Sequence, residues 1–417
     1  MSTSIPTNIL GISGQVVNTI EQQGTGEIVI TCKRDKRTKV IDPVSKGKTS
    51  INLYIHRTIK DLPLLGHPCL VEIELAQVNT HDGYRIVEDN AFVDLGFRHS
   101  KRLCRLISGL CRHMSISAVS KHLGIRWETI KNIDKRYLQE TLPALDPGTL
   151  TDLKHIGVDE VARAKGHDYM TLVYDMQEGH LIWVGTGRTA DVFSGFLKQL
   201  PKKTALGIQA VAMDMGPSYQ KSVRENLPHA DIVFDRFHVM QNYSKAISNQ
   251  KRVEFRKADM VGKKLFKGCH YLLLKNADKL KPKHTTRLDN LLSNNSNLNT
   301  LYIMKEQLAE LWSLPTFHEM TGAINAWCEL AYETNMHYLK KFADSLQNHS
   351  IGIANYAKHK LTSAIIEAGN IAIGMIRKRA RGIKDTEYFK LKIRQSSLKD
   401  NSSMFYASHP FFYSPKR

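Results

Sequence analysis

The 417-residue sequence is short of acidic residues, of paired cysteines and of long apolar runs, and each shortage excludes a class of protein. Asp and Glu number 40 against 59 Lys and Arg, a formal net charge of +19. An excess of that size favours a polyanionic partner, either nucleic acid or an anionic membrane surface. No apolar run is long enough to span a bilayer, and no signal-peptide pattern is visible at the start. Cysteines stand at 32, 69, 104, 111, 269 and 328, with no CxxC among them. That distribution argues against a disulfide scaffold and gives no zinc-ligand spacing, so no zinc is expected. It fits a reduced cytoplasmic setting. The length suffices for roughly two to four domains, and no internal repeat is present.

Residues 1–95 alternate short β-like runs (Glu27–Ile30, Ile51–Ile55, Leu70–Leu75) with Gly, Pro and polar turns, which predicts a small β-rich domain. Residues 96–150 hold SISAVSKHLGIRWETIKNIDKRYLQ (Ser115–Gln139) and a linker, TLPALDPGTL. Ile116, Val119 and Leu123 have helical spacing, Gly124 breaks it, and Trp127, Ile130 and Ile133 resume it. Two short helices around a glycine turn describe either a hairpin that only packs or a helix-turn-helix whose second helix enters the major groove. The cations Lys121, Arg126, Lys131, Lys135 and Arg136 favour the second, because they can meet phosphates. Thr129 on the same helix is a further DNA-contact candidate.

Beyond the linker, residues 151–245 read as three consecutive strands followed by helix, strand, helix and strand. That order predicts an α/β fold with a mixed sheet flanked by helices. Residues 246–350 are mostly helical, 351–395 end in a helix from Thr362 to Arg381, and 396–417 read as a tail.

The first of those strands carries Asp159 in the middle of apolar sequence, and a lone buried carboxylate is costly unless it is paired or holds a metal. The bland reading is an Asp that caps a turn. Asp214, delivered by the apolar run QAVAMDM, and Glu367, set among apolar residues on the late helix, make a richer one possible. Carboxylates that converge can hold a pair of Mg²⁺ ions, one activating an attacking oxygen and one stabilising the leaving oxygen of a phosphodiester. Spacing alone leaves Glu367 open as a surface ion-pair residue. Asp235 and His238, in VFDRFHV, are read as hydrogen-bonding braces of such a site. The run Arg377, Lys378, Arg379 and Arg381 directly after Glu367 is read as a phosphate grip. Trp183, Trp312 and Trp327 are read as packing residues.

Five blocks, in order, carry a resemblance: GVDEVARAKGHDY, AVAMDMGPSY, ADIVFDRFHVMQNYSKA, LKKFADSLQNHSIGIANY and LTSAIIEAGNIAIGMIRKRARGI. Together they resemble the bacterial insertion-sequence transposases of the ISL-three family, over roughly residues 100–395. The resemblance implies a DDE-type enzyme with an RNase H-like mixed sheet, strand order three-two-one-four-five, and a large helical insertion before the Glu. It implies that Asp159, Asp214 and Glu367 are the catalytic, metal-holding triad, with Mg²⁺ or Mn²⁺ as cofactor. The expected partners are double-stranded DNA, both element ends and target, and further copies of the chain on DNA, in a bacterial cytoplasm at the nucleoid. The family's N-terminal zinc-binding domain stands at 1–95, but its ligands are missing here. Two other classes compete: a domesticated DNA-binding regulator with vestigial carboxylates, and a plain nuclease of the same fold.

Overall fold

Period-two alternation builds the first sheet of the computed structural model, which describes residues 10–12, 14–164, 166, 168–275, 280–380 and 382–398. Its strands are β1 (Gln15–Gln22), β2 (Ile28–Arg34), β3 (Ile51–Leu64), β4 (His67–Asn79) and β5 (Arg85–Val87). They lie in the order β1-β2-β4-β3, with β5 also on β4. Along β4, Cys69, Val71, Ile73 and Leu75 are all buried, the signature of a strand with one face against a core. Cys32 and Cys69 sit inside that apolar core, where burial pushes both thiols up to about 11.

These strands belong to the first of two compact units, which comprises the described residues up to Leu142 together with Glu387–Gln395. The unit also holds helices α1 (Lys101–His113), α2 (Ile116–Leu123) and α3 (Trp127–Thr141). Ser115 caps α2 through the Ala118 N–H, and Gly124 ends it at φ +58, the left-handed conformation that glycine adopts at little cost. Val119, Ile125, Ile130 and Ile133 form the apolar seam between the two helices, with Leu103 and Ile107 of α1. Asp134 is fully buried beneath them, and Ser108, Tyr388 and Lys392 all donate to its carboxylate. A buried charge needs that full set of partners.

The second unit comprises Pro143–Thr386 and Ser396–Leu398. Its sheet contains β6 (His155–Ala164), β7 (Asp168–Asp175), β8 (His180–Thr186), β9 (Ala210–Met213) and β10 (Asp231–Phe234), in the order β10-β9-β6-β7-β8. The first three form an antiparallel meander, β9 runs parallel to β6, and β10 runs parallel to β9. Counted within the sheet, this is three-two-one-four-five. β6 continues past Glu160 because Val161 and Ala162 find backbone partners in Met170 and Tyr169, so Asp159 lies mid-strand.

Helices α4 (Ala190–Gln199), α5 (Lys202–Gly207) and α6 (Pro217–Asn226) follow, and Phe193, Phe196, Tyr219 and Val223 share a core with Ile156, Val158 and Val211 of the sheet. Then comes a helical segment: α7 (Arg236–Lys257), α8 (Met260–Phe266), α9 (His270–Leu274), α10 (Pro282–Ser293), α11 (Ser296–Glu310), α12 (Phe317–Glu333) and α13 (His337–Asn348). Tyr243 is its hub, buried against Trp327 and Phe342 with its hydroxyl donated to the Leu301 carbonyl at 2.8 Å. Trp312 and Trp327 are buried packing residues.

The chain returns to the sheet through α14 (Ser350–Ala354) and α15 (Tyr356–His359), where Asn355 donates to the Ile232 carbonyl and His359 Nε2 lies 2.9 Å from Asp231 Oδ2. The chain ends, among the described residues, in α16 (Ala364–Ala380) and α17 (Thr386–Ser397). Two glycines let α16 lie close on the sheet. A Cβ on Gly157 would come within 2.5 Å of Met176 Sδ and 2.8 Å of Ile366 Cδ1, and one on Gly369 would strike the Tyr174 hydroxyl. No helix among the described residues is long and apolar enough to cross a membrane.

Candidate active site

The pairing of β6 with β9 matches Ile156 to Val211 and Gly157 to Ala212, so the register carried two residues further sets Asp159 level with Asp214. β10 pairs Phe234 with Met213, and one step further Asp235 comes level with Asp214. Three aspartates therefore stand in one row, at or just beyond the pairing of three parallel strands. Neighbouring strands lie about 4.8 Å apart, so Asp214 is the middle member and Asp235 is roughly 10 Å from Asp159 at the backbone. Glu367, in the first turn of α16, lines the same cavity of about 90 Å³ as the three aspartates, His238, Ser363 and Asn370.

Hydrogen bonds hold each acid in place. Asp159 Oδ1 accepts from the Glu160 N–H at 2.8 Å and its Oδ2 from Asn370 Nδ2 at 2.6 Å. Asp214 Oδ1 accepts from the Gly216 N–H at 2.7 Å. Glu367 Oε1 accepts from the Ser363 hydroxyl at 2.8 Å. Asp235 caps α7 by accepting from the Phe237 N–H, and His238 Nε2 lies 3.9 Å from its Oδ2, beyond hydrogen-bond length. Ser363 lies beside Asp235 too, but its single proton goes to Glu367, which leaves Asp235 Oδ2 buried with no donor.

Burial dominates the electrostatics. It pushes the Asp159 carboxyl up, against the hydrogen bonds from Glu160 and Asn370, and Asp214 adds to the rise. Glu160 is raised first by burial and then by Asp214 and Asp159. Asp235 is raised by burial, with Glu367 adding to it. Such a cluster is costly without a cation. Among the described residues, no group of three or more His, Cys, Asp or Glu side chains is already arranged to hold a metal ion. The donor chemistry nevertheless suits a hard divalent cation: carboxylate oxygens around one cavity, with the buried Asp235 Oδ2 and Asn370 Oδ1 lacking a hydrogen-bond partner.

The sequence reading therefore meets the structure unevenly. Asp159, Asp214, Glu367, Asp235 and His238 line one cavity. Asn370 and Ser363 were missed, although Asn370 stands three residues after Glu367, a spacing that places two side chains on one helix face. Arg188, 3.7 Å from Glu160 and stacked over Tyr169, was missed as well. Arg377, Lys378 and Arg379 do follow on α16, but at 1.5 Å per residue Arg377 stands roughly 15 Å along the axis from Glu367. Arg381 lies outside the described residues.

In the first unit, Lys121 and Arg126 are exposed and Thr129 is half-buried, while Lys131 has its ammonium 6.0 Å from the Tyr388 ring centre. Arg136, read as a phosphate contact, has partners within the unit. Its guanidinium is bonded to Asp94 at 3.0 Å and Glu140 at 2.5 Å and stacks 3.4 Å over Phe97. The charge is engaged within the unit and fastens α3 to the segment after the sheet.

Comparison with known proteins agrees with both units. Residues 156–393 match an ISL3 DDE family described as "Transposase", and residues 88–138 match the "Helix-turn-helix domain of transposase family ISL3". The chain is 31% identical over 342 residues to the transposase for insertion sequence element IS1001 of Bordetella parapertussis, covering 81% of this chain and 84% of that protein. It is 24% identical over 296 residues to the transposase for insertion sequence element IS1557 of Mycobacterium tuberculosis, covering 66% of each. With the family matched across most of its length and the helix-turn-helix ahead of it, the chain belongs to the ISL3 family of transposases.

Proposed function

We propose that this transposase binds the terminal inverted repeats of its insertion sequence and cleaves and joins DNA strands in a metal-dependent reaction. The observation that carries the reading is the shared level of Asp159 and Asp214 on adjacent parallel strands, with Glu367 on the same cavity. The strand order and the antiparallel meander support an RNase H-like core. Asp159, Asp214 and Glu367 would hold the divalent ions, which when bound supply Lewis-acid activation of the attacking oxygen and charge for the leaving one.

The chain's own groups do the rest. Asn370 fixes the Asp159 carboxylate, and Ser363 fixes Glu367. Asp235 anchors the start of α7 and sets the position of His238 beside the acids. In the first unit, exposed Lys121 and Arg126 flank the turn of the helix-turn-helix and would meet DNA, with α3 as the recognition helix. DNA transposition works on both ends together, so an oligomer on DNA is part of the reading.

The test is a cleavage and strand-transfer assay on duplexes carrying the element's ends, with Mg²⁺ or Mn²⁺. Wild type should nick and join, and Asp159→Asn should bind the ends without either. Specific binding with no cleavage by wild type under any divalent ion would instead favour a DNA-binding regulator.

A further inference from the structure

We infer that the α7–α8–α9 corner of the helical segment is a second, sequence-independent DNA-backbone site. The stretch KRVEFRKADMVGKKLFK, residues 251–267, contains seven Lys or Arg and two acids. One acid is buried and the other caps a helix at the surface. Glu254 is buried and accepts from Gln250 at 2.8 Å and Asn297 at 3.0 Å, and Asp259 caps α8 through the Gly262 N–H at 2.7 Å. Asp259 keeps its charge at the surface, so six exposed cations face one exposed acid.

Six of the seven cations, all but Lys251, are exposed. They are also close in space as well as in sequence. Lys251 and Arg252 are near enough to His270 on α9 to push its imidazole down, after burial. Lys263 on α8 lies 5.9 Å over the ring of Phe255 on α7, and Phe255 in turn packs edge-on against Phe266. Around them Met260, Val261 and Tyr271 are exposed at 80%, 70% and 74%. Cations at helix ends are ordinary, since the macrodipole favours them by some tenths of a kcal/mol. That accounts for the pairs at the ends of α7 and α8 but not for Arg252 and Lys267, nor for a surplus in which Asp259 is the one exposed acid among six exposed cations of the stretch.

The ligand that suits such a surface is a polyphosphate backbone. Lys and Arg at the end of α7, on α8 and just after it can each meet a phosphate, and the exposed aromatic and apolar side chains can lie against sugars. Four of the six exposed cations are lysines, which meet phosphates as point charges, so the site should bind all sequences alike. The inference rests on the proposed function only in taking DNA as the polyanion.

The experiment is fluorescence anisotropy with a random 30-base-pair duplex, full-length protein and a salt series. The variant is Lys263→Ala/Lys264→Ala/Lys267→Ala, and the control Lys198→Ala/Lys202→Ala/Lys203→Ala removes three exposed cations from α4 and α5. Circular dichroism confirms that both remain folded. The corner variant should lose roughly tenfold in affinity at moderate salt and about two to three units of the log–log salt slope, while the control changes far less. Equal losses in the two variants, or no salt-dependent binding by wild type, would overturn the inference. A wild type that binds with this slope but does not cleave would leave the inference standing and sink the proposed activity.

Discussion

Asn370 on α16 donates to Asp159 Oδ2 on β6 at 2.6 Å, and this bond ties the helix that carries Glu367 to the strand that carries the first aspartate. The other end of the amide, Oδ1, is buried with no partner and faces the same cavity. Removing the side chain frees Asp159 to turn and removes one oxygen from the site. Asn370→Ala should slow cleavage about 10–100-fold, the range for partners that orient metal ligands. Mn²⁺ affinity, read by electron paramagnetic resonance, should weaken in step. Unchanged rate and affinity would reduce Asn370 to a packing residue.

Much of this arrangement was legible in the sequence, and for a physical reason. The strands of the second unit are short apolar runs between turn residues, and Asp159, Asp214 and Asp235 each interrupt or end one, so period and punctuation both point to them. Register was not legible. Only the pairing of Gly157 with Ala212 and Phe234 with Met213 reveals that all three aspartates share a level. The bond from Asn370 to Asp159 depends on how α16 seats on the sheet, which is set by Gly157 and Gly369, glycines that look unremarkable in sequence. Nor were the contacts of Arg136 legible, since Asp94, Glu140 and Phe97 surround its guanidinium only once the unit is folded.

Stability should depend on pH through the buried acids. Asp159, Glu160 and Asp235 all have carboxyls raised by burial. A raised folded value means the native state holds protons that the unfolded chain releases near pH 4, so the contribution is full below that and is lost as pH rises through the raised values. At pH 7 without divalent cation, Asp159→Asn should therefore melt higher than wild type, with the gain shrinking towards pH 3. Adding Mg²⁺ should raise the wild-type midpoint and leave the variant's unchanged. A lower midpoint for the variant at pH 7 would contradict this.

Gly157→Ala tests the seating of α16. The new methyl would meet Met176 Sδ and Ile366 Cδ1, and overpacking of this kind costs about 1–3 kcal/mol. Because Ile366 adjoins Glu367, cleavage should fall by more than the loss of folded protein explains, while binding to the element's ends persists. Wild-type cleavage per folded molecule would show that α16 seats without this contact.

For the helix-turn-helix, Arg126→Ala and Thr129→Ala should weaken binding to the ends more than binding to random duplex. Lys121→Ala should weaken both alike and lower the salt slope by about one. Arg136→Ala should act mainly on the fold, since it breaks ion pairs to Asp94 and Glu140. Its thermal midpoint should drop while the salt slope of the folded fraction stays put. A slope loss equal to that of Lys121→Ala would return Arg136 to the DNA.

The last prediction separates Asp214 from Asp235, which the register places side by side in the row. Asp214 follows β9, the immediate neighbour of β6, so its carboxylate can share an ion with that of Asp159 across about 4.8 Å. Asp235 is one strand further out, and one of its oxygens already caps α7 through the Phe237 N–H. Its other oxygen is buried beside Glu367 and can orient that side of the site. Asp159→Asn, Asp214→Asn and Glu367→Gln should each abolish cleavage while leaving end binding intact. Asp235→Asn keeps an amide oxygen for the cap and a polar atom at the cavity, so activity should fall by about 10–100-fold without vanishing. Single-turnover cleavage of an end-bearing duplex measures all four. If Asp214→Asn cleaves near the wild-type rate while Asp235→Asn is dead, the middle carboxylate is not the shared ligand and the triad is Asp159, Asp235 and Glu367.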